Sequence, residues 1–198
     1  MKIPISVFVI ISILSISYVR SQSPVVDTDG MPLVTGPTYY IVPAVSGSGG
    51  GVKLAPTTLN QTCPLDVAQE NNEQLNGLPQ TFSLAIPNRG GVIRESSDLN
   101  IIFSGATTCG QRAIWRVEDS NGQRVVTSRG TFGNPGASTI SNWFKFKKYD
   151  NDYKIVFCPT VCNTCRPACG EVGSTIAKNG RRSLLLSSNP LKVKFKKA

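Results

Sequence analysis

Four of the chain's six cysteines stand at 158, 162, 165 and 169, inside the run Phe157 to Gly170, FCPTVCNTCRPACG. Thiols at this spacing can bind a metal or form disulfides. C-x-x-C is a genuine zinc fragment, but tetrahedral sites usually join two distant ligand pairs, and here all four sulfurs crowd into twelve residues. The chain also contains no histidine, which removes the commonest mixed ligand sets. The symmetric spacing instead lets a short inner pair, Cys162 with Cys165, nest inside an outer pair, Cys158 with Cys169. Neither a metal nor another cofactor is expected. The missing imidazole also rules out Ser-His and Cys-His nucleophile pairs, and fully bonded cysteines would leave no thiolate. The carboxylates Glu118-Asp119 and Asp150 with Asp152 lie in turn-like, hydrophilic stretches where solubility accounts for them. An enzyme is therefore not expected.

The N-terminus decides between metal and disulfide. Met1-Lys2 is a positive start, Ile3 to Ile16 is apolar, and Val19-Arg20-Ser21 offers residues that a signal peptidase tolerates. Residues 1–21 read as a secretory signal cut after Ser21, leaving 22–198 as one domain. The apolar run is shorter than the roughly 20 residues that span a bilayer, so no membrane partner is expected. The destination is extracellular, apoplastic or vacuolar. In such an oxidising compartment six cysteines, an even number, read as three disulfides. Formal charge falls from +9 to +7, because Lys2 and Arg20 leave with the signal. No basic run is interleaved with aromatics on an exposed platform, so nucleic acid is not an expected partner. Asn60-Gln61-Thr62 is an acceptor sequon for N-glycosylation in an exposed loop.

The elements that must hold these groups are short strands. Pro24 to Pro37 carries turn signals, Thr38 to Val42 is a β-branched and aromatic run, and Ser46 to Gly51 reads as a flexible loop. Further strands are expected at Thr81 to Ile86, Leu99 to Phe103, Ala113 to Val117, Arg124 to Ser128, Trp143 to Lys147, Tyr153 to Phe157, Ser183 to Leu186 and Leu191 to Phe195. Asn121-Gly122 and Asn179-Gly180 lie between apolar runs and tolerate the positive φ of tight hairpin turns. No segment has a helical period. The pattern is all-β, a barrel or a sandwich. Leu99 to Phe103, Tyr153 to Phe157 and Leu191 to Phe195 resemble one another, which suggests threefold internal repetition. In the last, Leu191, Val193 and Phe195 alternate with Lys192, Lys194 and Lys196, an apolar face backed by lysines that reads as a solvated barrel face.

Several motifs together resemble the plant Kunitz family typified by soybean trypsin inhibitor. They are Val26 to Leu33 (VDTDGMPL) followed by Thr38 to Val42, Cys63-Pro64-Leu65, Ser97 to Ile101 (SDLNI), Gly133 to Gly136 (GNPG) and Ile140 to Lys145 (ISNWFK). Tyr153-Lys154, Cys158 to Cys162 (CPTVC) and Arg181-Arg182 before Leu184 complete the set, which covers essentially the whole chain after residue 21. The likeness is greatest to the miraculin-like branch, which carries the extra inner cysteine pair. The resemblance implies a β-trefoil of six hairpins with three intrachain disulfides, Cys63–Cys109, Cys158–Cys169 and Cys162–Cys165. The first closes a long loop, which in the chain-entropy model contributes about 4 kcal/mol, and it would clamp both flanks of the segment from Thr81 to Asn100.

That segment is where the family keeps its protease-binding loop, a substrate-like stretch held in an extended form. Counting back from the matched Leu99 strand places the primary contact residue at Arg89, within Asn88-Arg89-Gly90; counting forward from Cys63 lands near Pro87, and Asn88 and Arg94 remain alternatives. An arginine there suits a trypsin-like pocket with its buried aspartate. Gly90-Gly91 stands where soybean-type inhibitors are bulkier, and Thr35 replaces the family's buttressing asparagine, so a floppier loop is expected. The expected partner is a target endopeptidase, serine first, with cysteine protease inhibition or ligand binding and storage as alternatives. The acid-triggered taste switch of the miraculin branch needs histidine, and its dimer needs an additional cysteine; neither is present here, so a monomer is expected.

Overall fold

The computed structural model describes residues 22–57, 62–105, 107–110, 112–177 and 179–198. The expected signal at 1–21 and the sequon asparagine, Asn60, lie outside the described residues. Twelve short strands follow in order: β1 Tyr39–Pro43, β2 Val52–Pro56, β3 Leu65–Gln69, β4 Gln80–Leu84, β5 Leu99–Phe103, β6 Arg116–Ser120, β7 Gln123–Thr127, β8 Lys145–Tyr149, β9 Asp152–Phe157, β10 Gly170–Ile176, β11 Arg182–Ser187 and β12 Val193–Lys197.

Six of them close a barrel. β1 pairs with β4 and β12, β4 with β5, β8 with β9 and β9 with β12, all antiparallel. β5 meets β8 through the Leu99–Phe144 bridge, each N–H donating to the other's carbonyl at 2.9 Å. The other six form three hairpins, β2–β3, β6–β7 and β10–β11, that cap one end. The cap hairpins pair in a triangle: Asp66 opposite Thr127, Val125 opposite Leu185, and Ala68 opposite Ser183. Three units of four strands, each giving two to the barrel and two to the cap, make this a β-trefoil. Arg129 in the cap contacts both Asp66 and Glu118. Burial works against its charge, but these carboxylates outweigh that and raise its pKa above the ordinary arginine value.

Alternation of side chains along β4, β8 and β12 sends Phe82, Phe146 and Phe195 into the barrel axis. The three rings touch, with centroids 5.0 Å (82–146), 5.9 Å (82–195) and 4.6 Å (146–195) apart. They occupy equivalent places in the three units, so this triangle is the true threefold signature. The repetition expected from Leu99, Tyr153 and Leu191 is corrected accordingly. β5 and β9 are equivalents, but their third partner is β1, whereas Leu191 to Phe195 leads into β12, the equivalent of β4 and β8. All three stretches end in a core phenylalanine, and that shared burial produced the likeness.

The expected flexible loop at Ser46 to Gly51 is also corrected, because Gly49, Gly50 and Gly51 are buried. The Gly50 and Gly51 N–H groups donate to the carbonyls of Glu70 and Leu75, both at 2.7 Å. A Cβ on Gly51 would lie 1.9 Å from the Asn76 carbonyl oxygen. Glycine is required here for close backbone approach. Gly51→Ala should therefore lower unfolding free energy by about 2 kcal/mol or more in chemical denaturation, the scale of overpacking against unyielding backbone.

Candidate reactive loop

Residues 85–98 connect β4 to β5, and the Ala85 N–H donates to the Asp98 carbonyl (2.8 Å) to close the stem. The second half is laced to the N-terminal segment. Val25 donates to Ile93 and Thr35 to Gly91 at 2.9 Å, Ile93 donates to Leu33 at 2.8 Å, and Glu95 donates to Ser23 at 2.9 Å. Val25, Leu33 and Ile93 are fully buried, so this half rests on the core. The first half, Ile86 to Gly90, stands in solvent, and Ile86 is 83% exposed.

At the apex the chain turns rather than extends. Arg89–Gly91 is a single 3-10 turn, with Asn88 (φ −124°, ψ 166°) and Val92 (φ −67°, ψ 123°) extended on either side. Gly90 (φ 79°) and Gly91 (φ 62°) take left-handed conformations that a larger residue would resist. The Gly91 N–H donates to the Asn88 carbonyl (3.1 Å), and the Asn88 side-chain amide donates to the Val92 carbonyl (2.8 Å). The extended form implied by the family resemblance therefore does not hold for the three apex residues. The two glycines, expected to loosen the loop, instead permit a tight hydrogen-bonded turn. Thr35 braces it: besides its backbone bond, its Oγ1 would lie 2.2 Å from any Cβ on Gly91, so threonine and glycine are complementary. Asn88→Ala should weaken protease inhibition about tenfold and speed hydrolysis of the loop, because one ordering hydrogen bond is lost.

Among the candidates, Arg89 is exposed and has no hydrogen bond or ion pair within the described residues. Arg94 is half-buried and donates to the Gln22 carbonyl at 2.9 Å, so it serves the scaffold. Pro87 and Asn88 share the exposed arm.

Below the loop lies a feature that motif reading missed. Asp98 and Lys145 form an ion pair at 3.6 Å, each side chain only 9% exposed. Asp98 accepts from the Thr160 N–H (3.0 Å) and hydroxyl (2.5 Å), and Lys145 also donates to that hydroxyl (3.0 Å). Thr160 belongs to the segment bridged by Cys158–Cys169 (Cα–Cα 4.5 Å) and Cys162–Cys165 (5.4 Å), so the twice-bridged knob grips the loop's exit. The third bridge, Cys63–Cys109 (Cα–Cα 5.7 Å), joins the β2–β3 and β5–β6 connections. It lies at the opposite end of β5, about 16 Å of strand from the loop, so the expected clamp on the loop's flanks is not made. Among the described residues no cysteine is free.

The sequence profile of the Kunitz legume family, described as trypsin and protease inhibitor, matches residues 25–197. The chain belongs to the plant Kunitz inhibitor family. Miraculin from Synsepalum dulcificum is 44% identical over 186 residues, covering 89% of this chain and 84% of that protein. Kunitz trypsin inhibitor 5 from Arabidopsis thaliana is 42% identical over 178 residues, covering 88% and 86%. Among solved structures, the Kunitz-type cysteine protease inhibitor from potato superposes with a TM-score of 0.77 at 32% identity, covering 90% of this chain and 98% of that one. Soybean trypsin inhibitor gives 0.71 at 33%, covering 89% and 100%. This Kunitz chain falls in the miraculin-like branch of a family of non-enzymatic proteins that includes trypsin inhibitors.

Proposed function

We propose that this Kunitz protein is a secreted inhibitor of a serine endopeptidase with an arginine-selecting pocket, and that Arg89 enters that pocket. The supporting observation is the contrast within one loop: Arg89 is exposed and partnerless among the described residues, while the residues that follow it, from Gly91 to Glu95, are hydrogen-bonded to the N-terminal segment and Ile93 is buried in the core. A loop ordered before binding loses little entropy on docking, so its contacts convert efficiently into affinity. The Gly90-Gly91 turn must open for Arg89 to lie in a substrate-like path. Glycine makes that change at low steric cost, with an ordering penalty of about 1 kcal/mol.

The closed turn also favours a second reading, inhibition of a cysteine protease by an uncleaved loop, and the potato relative is described as a cysteine protease inhibitor. Titration of the purified protein against trypsin, chymotrypsin, subtilisin and papain, with mass spectrometry of any nicked bond, separates the two. Trypsin inhibition with slow cleavage at Arg89-Gly90 is expected. Inhibition of papain alone, without a nick, would transfer the assignment to the second reading. N-terminal sequencing of exported protein beginning at Gln22 would bear on the secretory route.

A further inference from the structure

The lysines of the last barrel strands are not scattered. Lys147 on β8 stands directly opposite Lys154 on β9. Lys192 lies alongside Lys154, because the next residue, Val193, pairs with Tyr153. Lys194 and Lys196 continue outward along β12, while Val193 and Phe195 point into the core. Like charges directly opposed across strands are destabilising, so the row weakens the sheet that carries it. Only part of it is neutralised. Lys154 pairs with Glu171 at 2.5 Å, and Lys192 with Asp150 and Asp152 at 3.1 and 3.7 Å. Within the described residues the side chains of Lys147, Lys194 and Lys196 make no ion pair or hydrogen bond, and all three residues are exposed.

We propose that this barrel face binds a linear acidic polysaccharide, one that carries carboxylate or sulfate groups on successive sugars. The free ammonium groups are spread out: Lys194 and Lys196 stand two residues, about 7 Å, apart along β12, and Lys147 lies two strands, about 10 Å, to the side on the outer wall of the barrel, which suits an extended polymer rather than a small enclosed anion. Single-stranded nucleic acid needs aromatic faces on which to stack. Tyr149 on this face is already covered, with the Lys154 and Lys192 ammonium groups 4.8 and 5.9 Å from its ring centroid. Tyr40, beside Lys196, is half-buried. No exposed apolar side chain accompanies the lysines on β12, which leaves a bilayer little to hold.

The test compares a Lys147→Gln/Lys194→Gln/Lys196→Gln triple variant with a Lys53→Gln/Arg112→Gln/Arg166→Gln triple variant of equal net charge on immobilised heparin and polygalacturonate. The face variant should lose about tenfold in affinity at about 0.15 M salt, and the slope of log K against log salt should flatten by about two. The control variant should lose less than about threefold. Equal losses in the two triples, no retention of the parent protein, or tighter binding of the parent to RNA or to phosphatidylserine vesicles would each overturn the proposal. If the face triple does not fold, single Lys194→Gln should still weaken binding about twofold.

Discussion

Arg89→Ala is expected to raise the inhibition constant against trypsin about a thousandfold or more, roughly 4 kcal/mol, while shifting Tm by less than about 2 °C. The two halves of the expectation have separate causes. The Arg89 guanidinium makes no hydrogen bond or ion pair within the described residues, so its removal costs the folded protein almost nothing. In the complex its charge would face the aspartate of a trypsin-like pocket, and alanine would leave that buried carboxylate unpaired. Arg89→Lys should retain much of the affinity, since lysine keeps the charge but not the planar fork. Parent-like trypsin inhibition by the alanine variant would remove Arg89 from the mechanism. If papain inhibition persists unchanged, the cysteine-protease reading gains instead.

A comparably large loss, in stability rather than binding, is expected from Phe146→Ala. The ring is fully buried and touches both Phe82 and Phe195, so truncation leaves a cavity lined by the two remaining rings. The cost should be about 3–5 kcal/mol, lowering Tm by about 10 °C, whereas Phe146→Leu should cost about 1–2 kcal/mol. Chemical denaturation followed by near-ultraviolet circular dichroism measures both. The equivalent places of the three rings add a sharper expectation: combining Phe146→Ala with Phe195→Ala should cost less than the two separate losses together, because they share one contact. A loss below about 1 kcal/mol for Phe146→Ala would mean that the axis is not the keystone of the core.

Strands with a strong alternating pattern were legible, and those shaped by their neighbours were not. β5 falls on the expected residues, and the Asn121-Gly122 turn joins β6 to β7 with φ of 50° and 77°. β6 begins three residues later than expected, because Ile114 bridges singly to Ile102 and Arg129 before the regular ladder starts. β10 carries Gly170 and Gly173 and looks weak in isolation. Those glycines admit Leu186 and the Asn189 carbonyl, contacts visible only after folding. β3 buries Asp66 and Gln69, polar residues that mask a strand until the cap supplies partners. The stretch around Asp150 and Asp152 reads as turn-like from its hydrophilic residues, and it joins β8 to β9 with Asp150 at φ 50°, but its hairpin geometry is not legible because aspartate marks any hydrophilic loop. At the candidate site, family likeness points to Arg89 as the contact residue beside Asn88 and Arg94, but two glycines in sequence announce only freedom, and the turn they adopt depends on Thr35 opposite.

The mutual closure of barrel and cap has a consequence for how any enzyme can be held. Among the described residues each of the six barrel strands has a ladder or bridge partner on both sides, while β2 and β6 in the cap pair on one side only, so the barrel wall offers no row of vacant amides on which a protease could lay an additional strand. Capture therefore falls to side chains and protruding turns. Along the barrel wall the same pairing removes the templates from which fibrils grow.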